Sequence, residues 1–103
     1  MPSFRAQLPV HDVRPGHRPP EVLGAARDAV PGFAHCDDVR LDLPRGVPIV
    51  TVRFSIRPGS GKDEDARARA CGDEIRNRLE AVAVVSPPRM HRRRGGGWLA
   101  LLR

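Results

Sequence analysis

The sequence predicts an α+β domain in which two helices cover one face of an antiparallel sheet. Three observations predict it. Residues 49–56 alternate without a break: Val50, Val52, Phe54 and Ile56 fall on one side, and Thr51, Arg53 and Ser55 on the other. Residues 63–82 carry Ala68, Cys71, Gly72, Ile75, Leu79 and Val82 as a narrow apolar stripe at helical spacing, with charged residues mostly off it. Strand-like and helix-like stretches then follow one another in the order β-α-β-β-α-β along the chain.

Taken in order, Phe4, Ala6, Leu8 and Val10 alternate with Arg5, Gln7 and Pro9, which is a first strand. Residues 11–19 form a connecting loop rich in Pro, His and Arg. Pro20 suits a first helical turn, where its missing N–H costs nothing, and Val22, Leu23, Ala26, Ala29 and Val30 recur at helical spacing until Pro31-Gly32 stops the helix. In residues 33–43, Val39, Leu41 and Leu43 alternate with Asp38, Arg40 and Asp42 as a second strand. Pro44-Arg45-Gly46-Val47-Pro48 is a tight connection into residues 49–56, so these two strands form a hairpin. Asp63, Glu64 and Asp65 sit in the first turn of the second helix, where the helix dipole favours acids, and Ser60 or Gly61 is its expected N-cap. After Ser86-Pro87-Pro88, residues 89–94 make a last strand. Gly95-Gly96-Gly97 breaks it, and residues 98–102 fold back as a hairpin strand.

Composition narrows the function classes. With 103 residues the chain makes one domain, 1–103, with a modest and mainly aliphatic core, since there are three Phe, one Trp and no Tyr. No apolar run reaches the about 18 residues of a membrane span, and residues 1–9 lack the apolar core of a signal peptide, so a cytoplasmic location is expected. Residues 1–88 are nearly balanced at a net charge of +1, whereas residues 89–103 hold five arginines and no acid. Cys36 and Cys71 lie too far apart for a zinc knuckle or a redox pair and read as reduced, structural thiols.

The motifs that carry chemistry elsewhere are incomplete here. Gly59-Ser-Gly-Lys62 follows a strand and opens a helix as a phosphate loop does. However, Ile56 stands where the motif needs its first Gly, and Asp63 where it needs Ser or Thr, so a flexible turn is expected. His35-Cys-Asp-Asp38 strings four ligand types together, yet a strand divides them between two faces and a closed site needs four. No catalytic residue, metal or cofactor is nominated by spacing. Arg89, His91, Arg92, Arg93 and Arg94, with Arg53 on the central strand, are the candidate contacts for an anion or a partner, because arginines bind phosphate and carboxylate by paired hydrogen bonds. The apolar run 98–102 cannot all face one core, so Trp98, Leu99 and Leu101 are the candidate interface.

The whole element order resembles the ferredoxin-like βαββαβ arrangement: a four-stranded antiparallel sheet, here with a fifth C-terminal strand, and two helices on one face. That resemblance implies that residues 49–56 lie in the middle of the sheet beside the first strand and that the other sheet face is open. Acylphosphatases share the length and basicity, but their Gly-x-Val-Gln-Gly-Val-x-Phe-Arg loop has no counterpart in residues 8–14. RNA-binding sheets of this topology stack bases on aromatics, whereas Thr51, Arg53 and Ser55 occupy the central strand here. The expected function is a non-enzymatic binding or protein-interaction module, a homodimer using its open face and C-terminal hairpin. The alternatives are a nucleic-acid-binding protein that uses the basic C-terminal strand, or an acidic protein partner for the same arginines, and then a small dimeric enzyme of ferredoxin-like type.

Overall fold

The computed structural model describes residues 1–101. Six strands and two helices follow in the order β1 (Ser3–Val13), α1 (Glu21–Asp28), β2 (Ala34–Asp42), β3 (Ile49–Ile56), α2 (Gly61–Leu79), β4 (Ala83–Val85), β5 (Arg89–Arg94) and β6 (Gly97–Ala100). The antiparallel sheet runs β2-β3-β1-β5-β6, with β4 also pairing β1. Among the described residues no helix is long and apolar enough to cross a membrane.

The sheet therefore has six strands where four or five are expected. The last third of the chain accounts for the difference. β1 extends to Val13 and pairs two successive segments, β5 through Phe4 to Gln7 and β4 through Val10 to Val13. Ser86-Pro87-Pro88 separates them, because proline has no N–H to give to a ladder. α2 ends at Leu79, three residues short of the expected Val82, and residues 80–82 turn the chain into β4. The hairpin from β5 into β6 turns on Gly95, which sits at φ 56 and pairs Arg94 with Gly97 across a two-residue loop.

Strand alternation fixes which residues are buried. Phe4, Ala6 and Leu8 of β1 and Val50, Val52, Phe54 and Ile56 of β3 lie fully beneath the two helices, against Val22, Ala26, Ala68, Cys71, Ile75 and Leu79. The register sets Phe4 opposite Phe54, with ring centroids 5.8 Å apart and planes 21° apart. Each fully buried Val, Leu, Ile or Phe among them contributes about 1.5–3 kcal/mol relative to exposure. Gly72 brings α2 close to β5: a Cβ there would meet Met90 Sδ at 2.5 Å.

The apolar face of β2 is covered less well than its pattern predicts. Leu41 and Leu43 are exposed. α1 has eight residues and spans about 12 Å, while the nine residues of β2 span about 30 Å, so the helix cannot reach the strand's far end.

The N-terminus of α2 is held from within the chain. Ser60 caps it, accepting from the Asp63 N–H at 3.1 Å. Glu64 is buried although charged. Its carboxylate accepts from the Gly59 N–H at 2.8 Å and from Arg92 Nη2 at 2.7 Å, and Arg92 Nη1 reaches Asp65 at 3.1 Å. The Gly59 N–H, then Arg92, holds the Glu64 carboxyl below its usual range.

Candidate anion-binding face

The same alternation that buries Phe4 and Phe54 turns Arg5 and Arg53 outward to the face without helices. Pairing sets one row across that face: Asp38, Arg53, Arg5, His91 and Ala100, from β2 through β3, β1 and β5 to β6. Arg93 stands opposite Trp98 in the β5–β6 hairpin. The half-buried Trp98 ring has three guanidiniums over it, with centroid distances of 4.8 Å to Arg5, 5.0 Å to Arg93 and 5.2 Å to Arg53. Each such contact is worth about 0.5–1 kcal/mol at an exposed site.

Neighbouring side chains also cover the polar side of the central strand. Thr51 and Ser55 point to the open face, yet only 6% and 8% of their surfaces are exposed. Gln7 Nε2 donates to Thr51 Oγ1 at 3.4 Å, and Ser55 donates to Asp37 at 3.4 Å. Arg5, Gln7, Arg40, Asp42, Thr51, Arg53 and Trp98 line a depression of about 170 Å³.

The charge on this face is uneven. Among the described residues, no carboxylate makes an ion pair with Arg5, Arg53, Arg89, Arg93 or Arg94. Asp38 faces Arg53 in register, but Arg40 Nε takes it at 3.0 Å. The acids Asp37, Asp38 and Asp42 stand on β2 and bound the basic area on one side. Burial first, then Arg53 and Arg93, pushes the Arg5 guanidinium below its ordinary value. Arg5 Nε donates to His91 Nδ1 at 3.3 Å, which needs that nitrogen unprotonated. Burial, then Arg5 and Arg89, holds His91 below the usual histidine range.

Of the residues nominated from sequence, Arg53, His91, Arg93 and, by parity, Arg89 share the open face. Arg92 does not join them. Parity turns it to the helix side, where it lies 5.2 Å from the Phe4 ring and pairs with Glu64 and Asp65. Arg94 is exposed at the hairpin end. Trp98, nominated as interface, sits among the arginines. Leu99 keeps 50% of its surface exposed, whereas Leu101 packs partly on the core and donates its N–H to the Met90 carbonyl. Leu102 lies outside the described residues. Arg5, which alternation in the first strand already sets on the same open face as Arg53, joins this site, and Trp98 is the member that counting charges misses. The signal for Arg5 was its odd position in the first strand. For Trp98 it was the two-residue hairpin that sets it opposite Arg93.

Other clusters on the molecule hold less. His11 Nε2 and Ser86 Oγ lie 2.5 Å apart at an exposed site, and among the described residues no carboxylate orients the ring's other nitrogen. Cys71 is buried, and burial pushes its thiol up to about 12. Cys36 is half-buried, and both thiols are free. No group of three metal-ligating side chains occurs among the described residues. An apolar groove of about 270 Å³ opens beside Val10, Val22, Leu41 and Leu43, and the charged or titratable residues lining it, His11 and Asp12, are exposed. Comparison with family models, with curated proteins and with solved structures finds no match to this chain.

Proposed function

We propose that this protein is a non-enzymatic binding module whose open sheet face takes the phosphate backbone of a single-stranded nucleic acid. One observation carries the reading. Arg5, Arg53 and Arg93 converge on one indole with no carboxylate ion-paired to them among the described residues. Like charges gathered at one place repel, and an anion relieves that repulsion. A single strand laid across β3, β1 and β5 would meet Arg53, Arg5 and Arg93 or Arg89 in turn. A sheet face is broad and nearly flat, which suits an extended strand better than the groove of a duplex. The strand order β2-β3-β1-β5 also supports a ferredoxin-like core, its fourth strand divided into β4 and β5 and a hairpin strand added. A cytoplasmic location belongs to the same proposal.

Titration with single-stranded and duplex oligonucleotides at two salt concentrations tests this. Trp98 is the one tryptophan and the chain has no tyrosine, so its fluorescence reports the site directly. A face neutralising three or four phosphates gives a log–log salt slope of about −2 to −3, so affinity falls about 20- to 50-fold between 50 and 200 mM salt. Absence of binding at low salt would sink the proposal.

A second reading rests on a separate observation. β6 is an edge strand of Gly97, Trp98, Leu99 and Ala100, without a charge, and Leu99 is half exposed. Uncharged edges invite pairing with another strand, and a second copy of the chain is the partner expected there. The expected mass in solution is twice the 11.3 kDa of one chain, and Leu99→Asp should return it to one. A monomer at high concentration in the unsubstituted protein would exclude it.

A further inference from the structure

We infer that Trp98 is a positioning residue: it gathers Arg5, Arg53 and Arg93 into one cationic platform that recognises phosphate groups and is indifferent to the bases they carry. The inference rests on the nucleic-acid reading of the open face. The three guanidiniums come from three different strands, β1, β3 and β5, and meet over a ring supplied by a fourth. Among the described residues no ion pair draws these charges together. Arg5 donates to His91 Nδ1, which accepts only while that nitrogen is unprotonated, and Arg53 and Arg93 have no ion pair there. The negative face of the indole offsets repulsion that would otherwise splay the three side chains. Preorganised donors bind an anion more tightly because less freedom is lost on binding.

The same geometry disfavours base stacking. A base seeking the indole competes with guanidiniums already over the ring. The nearby side-chain amide, Gln7, is turned to Thr51. What remains to a ligand is the charge of the guanidiniums and their N–H groups, which match phosphate oxygens.

The test compares two ligands, long-chain inorganic polyphosphate followed by calorimetry and a fluorescein-labelled single-stranded oligonucleotide followed by anisotropy. Trp98→Leu keeps an apolar side chain but removes the ring, and Trp98→Phe restores a ring. Both are first checked for an unchanged far-ultraviolet circular dichroism spectrum. Trp98→Leu should weaken both ligands by the same factor, on the order of tenfold, if three contacts of this strength are lost. Trp98→Phe should recover most of it for both. The salt slope should stay unchanged in Trp98→Leu, whereas Arg5→Ala should reduce it by about 1. A loss confined to the oligonucleotide would mean that Trp98 stacks bases and would overturn the inference while leaving the nucleic-acid reading intact. Equal affinities of Trp98→Leu and the unsubstituted protein would also overturn it. Failure of the unsubstituted protein to bind the oligonucleotide at low salt would instead remove the reading on which it rests.

Discussion

Arg92 and Arg93 are neighbours in the chain and opposites in surroundings. Arg92 turns under the sheet to Glu64 and Asp65, at 2.7 and 3.1 Å. Glu64 first, and Asp65 with it, raises the Arg92 guanidinium above its ordinary value. Arg93 turns to the open face and finds an indole at 5.0 Å and two further arginines. One side chain closes the structure and the other leaves a charge for something outside it. Strand parity makes the distinction, and residue type does not.

The largest expected effect lies beneath both. Phe54→Ala removes a fully buried ring stacked on Phe4 and should cost about 3–5 kcal/mol in denaturant unfolding. Arg53→Ala, one residue away and exposed, loses only its contact with the indole and should stay within about 1 kcal/mol. Equal losses would mean that the open face contributes to folding as much as the core does.

Gly72→Ala comes next. Its Cβ would come within 2.5 Å of Met90 Sδ, the far end of a flexible side chain that can turn aside, and Ala gains about 1 kcal/mol of helix propensity over Gly, so the net loss should stay below about 1 kcal/mol. Met90→Ala in the same chain should recover part of that loss. No recovery would place the strain elsewhere.

Arg92→Ala and Arg93→Ala separate the structural arginine from the unpaired one. The first should lower the melting temperature and leave the salt slope of nucleic-acid binding unchanged. The second should reduce that slope by about 1 and leave melting nearly unchanged. The effect of Arg92 carries a pH signature. The folded Glu64 carboxyl titrates below its unfolded value of 4.5, so the stability it contributes is present above that pH and is lost as pH falls through the folded value. Acid unfolding should therefore begin at higher pH in Arg92→Ala. Coincident acid transitions would show that the Gly59 N–H alone holds Glu64.

His91 should give the smallest effect. It titrates low because it is partly desolvated and stands beside Arg5 and Arg89, and a bound anion would raise it. Affinity for a single strand should then increase less than tenfold as pH falls from about 7.5 to 5.5. His91→Ala should flatten that dependence, and a pH profile identical in both proteins would remove His91 from the site.

Much of the architecture was legible because strong patterns are local. β3 declares itself by unbroken alternation between Pro48 and Pro58, and α2 by its apolar stripe. β4 has three residues, too few for alternation to register, and reads as a lead-in to Ser86-Pro87-Pro88. The bulge between Cys36 and Asp38 leaves no mark in the sequence, yet it decides which acids share the open face. Asp63, Glu64 and Asp65 were legible as a charged first turn. Their division of labour was not, since Glu64 answers to Gly59 and to Arg92, 28 positions away. The arginine cluster was visible as charge, but its split into structural and free members depends on pairing between β1 and β5. Trp98 could be seen as part of an apolar surplus in residues 98–102, and only the hairpin register brings it to Arg5 and Arg53.

Cys71 lies at zero exposure between α2 and the sheet, with its ionisation suppressed until about pH 12. An alkylating reagent at neutral pH can therefore reach it as a thiolate only when helix and sheet part. Its modification rate, with Cys36 replaced by Ser, becomes a built-in clock for the opening of the core, and it runs without touching the face where ligands are proposed to bind.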